Sequence, residues 1–197
     1  RAWDPVTAFY AAGLDRLART RRFLALDREL RARGFARARV TRLPHHAAHA
    51  ASAFFASPYA RAAVLSVDGL GEWQSAWLGR GEGTRLHALG DVAFPHSLGL
   101  LFDALGTYLG FHKRDDAGKV MALAALGDPA RFAGLFRELV VFNEPAGLRL
   151  DCAYFTWHRR FGYGPRPLFT PRLTRALGPP RPPGAPLEQR HYDVAAA

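Results

Sequence analysis

The chain has 197 residues, 27 Lys+Arg against 17 Asp+Glu for a net charge of +10, and 49% hydrophobic residues. That is too apolar for a disordered chain and enough to close a core in one domain or in part of a larger one. A single cysteine, Cys152, excludes an internal disulfide and a multi-thiolate metal cage and favours the cytoplasm, while the absence of any run of about 18 apolar residues excludes a membrane helix.

The chain opens at Arg1 with no signal-peptide core behind it and closes in Asp-Val-Ala-Ala-Ala, so it reads as a piece truncated at both ends. Asp4 and Pro5 form a helix start. Leu14, Leu17 and Leu24, with Phe23, Leu26 and Leu30 beside them, follow at helical spacing, and Gly34 is the stop. Arg16, Arg19, Arg21 and Arg22, then Arg31, Arg33, Arg37 and Arg39, make basic clusters along this stretch. They carry no interleaved aromatics to stack bases, and only Lys113 and Lys119 are lysines in the whole chain. The excess looks like the Arg-, Ala-, Gly- and Pro-rich product of a GC-rich coding sequence, so a nucleic-acid partner is disfavoured.

A short strand is predicted over Ala38–Leu43, then a buried helix after Pro44 through Phe55. Ala62–Val67 reads as an interior strand ending in an Asp68-Gly69-Leu70-Gly71 turn, and Trp73–Leu78 and Thr84–Leu89 complete an antiparallel meander. Helices follow at Leu98–Leu109, Lys119–Leu126 and Pro129–Leu139, and a hairpin at Val140–Phe142 and Leu148–Leu150. The stretch 177–186 is a Pro-rich connector, and Leu187–Ala197 begins a last helix.

Four segments could carry chemistry. In His45-His46-Ala47-Ala48-His49, a helix puts His45 and His49 on one face, where two imidazoles can bind one divalent ion, Fe, Zn or Mn alike. The competing reading is a polar helix start, because two ligands do not close a site, and without a Glu between the histidines the zincin pattern is absent. In Ser66-Val67-Asp68-Gly69-Leu70-Gly71, the glycines allow backbone N–H groups to approach a phosphate and Asp68 can reach a metal or its water; an ordinary hairpin turn is the alternative. In Phe94-Pro95-His96-Ser97, Ser97 caps the next helix, and a catalytic Ser–His pair is disfavoured because adjacent side chains rarely face each other. Lys119, beside a helix start, can meet an anionic substrate or stay solvated, and the Met121 and Leu positions after it suit a core.

Taken in order, HHAAHAASAFFASPY, LSVDGLGE, FPHSLGLLFDALGTYLGF and GKVMALAALG resemble the N-terminal domain of the O-carbamoyltransferase family, which includes nodulation, cephamycin and tobramycin carbamoyltransferases. The resemblance covers Pro44–Gly127. It implies an α/β fold of the actin-like and heat-shock-chaperone-like ATPase type, related to the tRNA threonylcarbamoyl transferase subunit. Residues 1–197 would then be a partial N-terminal domain, with the family's C-terminal YrdC-like domain absent. It implies transfer of a carbamoyl group from carbamoyl phosphate, through an ATP-derived carbamoyl-adenylate, to a hydroxyl of a sugar or natural product. His45 and His49 look like the metal ligands, iron above other divalent ions, with a later aspartate beyond Ala197 as the third. Asp68, Gly69 and Gly71 would face nucleotide and metal, Lys119 would help bind the anionic donor, and His46 is the candidate base for the acceptor hydroxyl. The chain departs from the family in lacking the strand pair and EER-type segment that normally come first, and in reading Leu123-Ala124-Ala125-Leu126-Gly127 after KVM.

Two other readings stand beside this one. An incomplete nucleotide-binding or interaction module would bind neither metal nor carbamoyl phosphate, and a tRNA-modifying relative is the nearest enzymatic alternative. An Arg-rich nucleic-acid binder would show affinity falling steeply with salt.

Overall fold

The computed structural model describes residues 26, 28–41, 43–111, 116–143, 147–159 and 167–197. Residues 28–32 are helical and end as expected at Gly34, whose φ of 90° lets Gly34 N–H reach Arg31 O and Phe35 N–H reach Leu30 O. That left-handed closure strains any residue with a Cβ. The helix start at Asp4, the apolar positions Leu14 to Leu24 and the first arginine cluster lie outside the described residues; Arg31, Arg33, Arg37 and Arg39 are exposed. The strand expected at Ala38–Leu43 does not form: residues 38–41 and 43 are irregular, and strand propensity without a ladder partner does not make a strand.

Helix α1, His45–Phe54, follows Pro44 and buries His46, Ala50 and Phe54. Those positions are four apart and form one stripe, so the helix is half-buried rather than enclosed, and Phe55 just beyond it is exposed. The stripe lies over a small core in which Ala50 and Phe54 meet Val64 and Trp77.

Strands β1 (Arg61–Gly71), β2 (Gln74–Glu82) and β3 (Arg85–Ala93) make the predicted antiparallel meander in the order β1-β2-β3. Among the described residues β1 stands at the edge of this sheet, where its apolar run predicts an interior strand. Val64 and Ser66 point inward, while Leu65 and Val67 are exposed. The chain also does not turn at Asp68–Gly71. The ladder is interrupted between Val67 and Gly71, resumes with Gly71 opposite Gln74, and the reversal is Glu72–Trp73, with Glu72 at φ 58°.

The remaining chain is mostly helical. Helices α2 (Leu98–Tyr108), α3 (Ala117–Ala124) and α4 (Ala130–Leu139) match their predicted spans to within a few residues, as does the hairpin of β4 (Val140–Asn143) and β5 (Gly147–Leu150). A second, larger core joins Leu101, Tyr108, Leu139, Phe155, Trp157, Leu173 and Val194. In α3 the inward positions are Val120 and Leu123, whereas Met121 and Leu126, expected in the core, are exposed. Helix α5 (Pro171–Leu177) was not anticipated, although Thr170 caps it by accepting from Arg172 N–H and Pro171 opens it. The Pro-rich stretch is docked rather than loose. Arg181 is buried with Nε donating 2.6 Å to Leu109 O, and the Tyr108 hydroxyl lies 3.0 Å from both Leu177 O and Gly178 O. Helix α6 (Gln189–Ala196) is the last predicted helix; its Asp193 accepts from Asp128 N–H, Gln189 and Arg131.

The whole is a mixed α/β architecture whose two named sheets, among the described residues, are both antiparallel. None of the described helices is long and apolar enough to cross a membrane.

Candidate functional site

The site forms where the first turn of α1 meets the end of β1. Helical spacing sets His45 and His49 one above the other, and their Nε2 atoms stand 3.0 Å apart. Asp68 Oδ2 lies 2.8 Å from His45 Nε2 and 3.5 Å from His49 Nε2. All three donors fall within 4.8 Å of one another and are partly open to solvent.

Two features fit this set to a divalent cation. Donors held about 2.1 Å from a common ion at four- to six-coordinate angles sit roughly 3 Å apart, as these do. Hydrogen bonding alone serves the cluster poorly, because His45 Nε2 carries at most one proton and cannot aim it at both Asp68 and His49. Burial pushes the Asp68 carboxyl up. The bond from His45, the Gly69 N–H and the charges of His45 and His49 outweigh it and hold the group below its ordinary value, in the ionised form a ligand needs. Two of the three donors were read from the sequence as a pair awaiting an aspartate from outside the chain; Asp68 supplies a third from within it.

Asp68 is itself fixed from the far side. The buried Ser97 hydroxyl caps α2 by accepting from Leu100 N–H and donates to Gly69 O at 2.7 Å. Gly99 makes that approach possible, since a Cβ there would lie 2.5 Å from Gly69 N and 2.7 Å from Asp68 O. Gly71 in the same segment also leaves room for a neighbour: a Cβ on it would lie 2.2 Å from His45 Cδ2. Sequence patterning could not separate this use from a phosphate cradle, because both need the same missing Cβ.

His46 is buried beneath the cluster, with Nδ1 2.8 Å from Ser66 Oγ and Nε2 2.9 Å from Gln74 O. The carbonyl can only accept, so Nε2 carries the proton and Nδ1 accepts from the Ser66 hydroxyl. A general base needs a free lone pair facing its substrate. In this arrangement both nitrogens of His46 are engaged and its ring is buried, so it braces helix against sheet.

Lys119 is not drawn into the cluster by any bond seen here. It pairs with Asp116 at 2.7 Å and stands 5.9 Å from the centre of the Phe111 ring. His96 and Ser97 face apart: His96 Nδ1 accepts from Leu150 N–H, and burial with the Arg149 and His158 charges lowers its pKa. The neighbouring Cys152 thiol is pushed by burial to about 11, so it is no thiolate nucleophile at neutral pH.

The family model for the carbamoyltransferase N-terminus matches residues 15–162. An uncharacterised protein of Synechocystis sp. is 38% identical over 154 residues, covering 78% of this chain and 24% of that protein. The nodulation protein NolNO of Sinorhizobium fredii is 31% identical, covering 100% of this chain and 28% of its own length. The nodulation protein NolO of Bradyrhizobium diazoefficiens is 35% identical, covering 78% and 25%. The chain thus spans about a quarter of the length of the curated relatives it matches.

Proposed function

The chain belongs to the carbamoyltransferase N-terminus family, and from that premise we propose that it serves an O-carbamoyltransferase in which His45, His49 and Asp68 hold a divalent metal ion, iron first among the candidates. The reaction proposed is transfer of a carbamoyl group from carbamoyl phosphate, through a carbamoyl-adenylate made with ATP, to a hydroxyl of a small sugar or natural product. The observation that carries the reading is the convergence of three ligand atoms contributed by two separate elements, α1 and the end of β1. When bound, the ion supplies Lewis acidity toward a carbamoyl or phosphate oxygen.

The chain's own residues divide the work. His45 and His49 offer imidazole nitrogens, Asp68 offers the anionic ligand, and the Ser97–Gly69 contact holds the backbone beside that carboxylate against the start of α2. With both nitrogens of His46 engaged, the proton of the acceptor hydroxyl has to leave by another group. Lys119 remains the candidate for the anionic donor, because its own side chain is 63% exposed while it pairs with Asp116. The fold proposed for the family, an actin-like ATPase domain of the threonylcarbamoyl-transferase type, is supported by the β-meander followed directly by a helix capped against β1. A cytoplasmic setting agrees with the single free cysteine.

Carbamoyl transfer from labelled carbamoyl phosphate with ATP to a panel of hydroxylated acceptors tests the reading, run beside metal analysis of the same protein. Metal-dependent label on an acceptor is the expected result. A protein that takes up metal but transfers no label would keep the metal site and lose the transfer reaction, and one that takes up no metal and binds no carbamoyl phosphate would be the incomplete module and ends the proposal.

A further inference from the structure

The two imidazoles converge on Asp68 only if α1 holds one rotation about its axis and one height over β1, and the geometry of two neighbouring residues sets both. His46 follows a ligand directly, and its buried ring bridges Ser66 on β1 and the Gln74 carbonyl on β2. Ser66 precedes Asp68 by two residues, which on a strand places both side chains toward the same face. The His46–Ser66 bond and the His45–Asp68 contact are therefore adjacent rungs between the same helix and the same strand. Gly71, beyond Asp68, leaves the slot that the His45 ring occupies; a Cβ there would sit 2.2 Å from Cδ2 and 2.6 Å from Cγ of that ring.

Resting on the metal reading above, we infer that His46 and Gly71 are positioning residues for the triad, His46 by locking helix to sheet and Gly71 by fixing the rotamer of His45. Neither touches the ion. Gly71 is not among the residues at positive φ, so alanine is accommodated by its backbone and restricts the unfolded chain. The His45 ring, being partly exposed, can swing out of the way. A Gly71→Ala protein is thus expected to fold normally and lose the ligand geometry alone.

The test is cobalt(II) titration of the full chain, followed by visible absorbance and calorimetry, with thermal unfolding of each metal-free variant alongside. His45→Ala, which removes a ligand, identifies the signal of the triad. Gly71→Ala should bind cobalt about ten- to a hundredfold more weakly, the usual cost of disturbing a group that orients a ligand, at an unchanged melting temperature. His46→Leu should weaken cobalt binding similarly, and His46→Gln, which can donate to Gln74 O and accept from Ser66, should recover part of it. If His46→Leu fails to fold, Gly71→Ala decides alone. Wild-type affinity in Gly71→Ala overturns the inference while leaving the metal site standing; no cobalt binding by the wild type removes the metal site and the inference with it.

Discussion

The region of α1 and the three-stranded sheet and the helical region behind it are held together by different means. Over the sheet the buried apolar cluster is only Ala50, Phe54, Val64 and Trp77, and the contacts that set the site are the bonds of His46 and Ser97 and the close approaches at Gly71 and Gly99. Behind it, Tyr108, Leu109, Leu139, Phe155 and Leu173 are each fully buried in one continuous core. Apolar packing is non-directional and tolerates small shifts, whereas a hydrogen bond or a glycine contact holds an atom to a few tenths of an ångström. Three side-chain donors converging within 4.8 Å need the second kind of restraint, and they lie in the region that has it.

That contrast can be broken most forcefully in the helical core. Phe155 is fully buried and stacks on Trp157 at 4.4 Å between ring centres. Phe155→Ala should cost about 3–5 kcal/mol, read in urea unfolding. If the sheet region is restrained by its own contacts, cobalt affinity under native conditions should change far less than it does in Gly71→Ala.

Gly99→Ala probes the joint between the two regions. Its Cβ would meet the backbone of Asp68 and Gly69, which cannot rotate away, so roughly 1–3 kcal/mol of overpacking is expected. Unlike Gly71→Ala, this variant should lower the melting temperature and the cobalt affinity together.

Acid gives the gentlest discrimination. His96 and His191 both accept a backbone N–H at Nδ1, from Leu150 and Glu188, and both have pKa values lowered from 6.5, chiefly by burial. Below 6.5 the unfolded chain therefore binds more protons than the folded one, and the stability these residues contribute, complete above 6.5, is lost as pH falls toward their folded values. Asp68 is lowered from 3.8, so its contribution survives that interval and is lost only below 3.8. Amide protection factors across a pH 7 to 5 series, which set aside the intrinsic slowing of exchange in acid, should fall first around Leu150 and α6, and last around β1 and β2.

What the sequence made legible follows from how local each signal was. His45 and His49 four apart, the glycine stop at Gly34, the Ser97 cap and the meander all rest on spacings within one element or one turn. Asp68 was legible as a group that could reach a metal, but its direct contact with both histidines was not, because that depends on how far β1 continues beyond Val67 and where α1 sits upon it. The bracing contacts of His46 were hidden for the same reason: adjacent to His45 in sequence, it points into the sheet, which only the packing of α1 on β1 and β2 reveals. The strand drawn at Ala38–Leu43 lacks a neighbour to pair with, while the Pro-rich connector at 177–186 finds Tyr108 and the carbonyl of Leu109 to dock on, contacts that no local spacing announces.

The outer border of β1 has a consequence for handling the protein. Ala62-Ala63-Val64-Leu65-Ser66-Val67 is six residues without charge or proline, paired on one side only among the described residues, with Leu65 and Val67 turned to solvent. Such a segment is a template for strand addition, opposed by the charges that adjoin its two ends, Arg61 and Asp68. In a crowded solution the first self-association expected of this molecule is therefore a sheet continued from one copy to the next, growing out from β1 rather than from its larger, better-covered helical core.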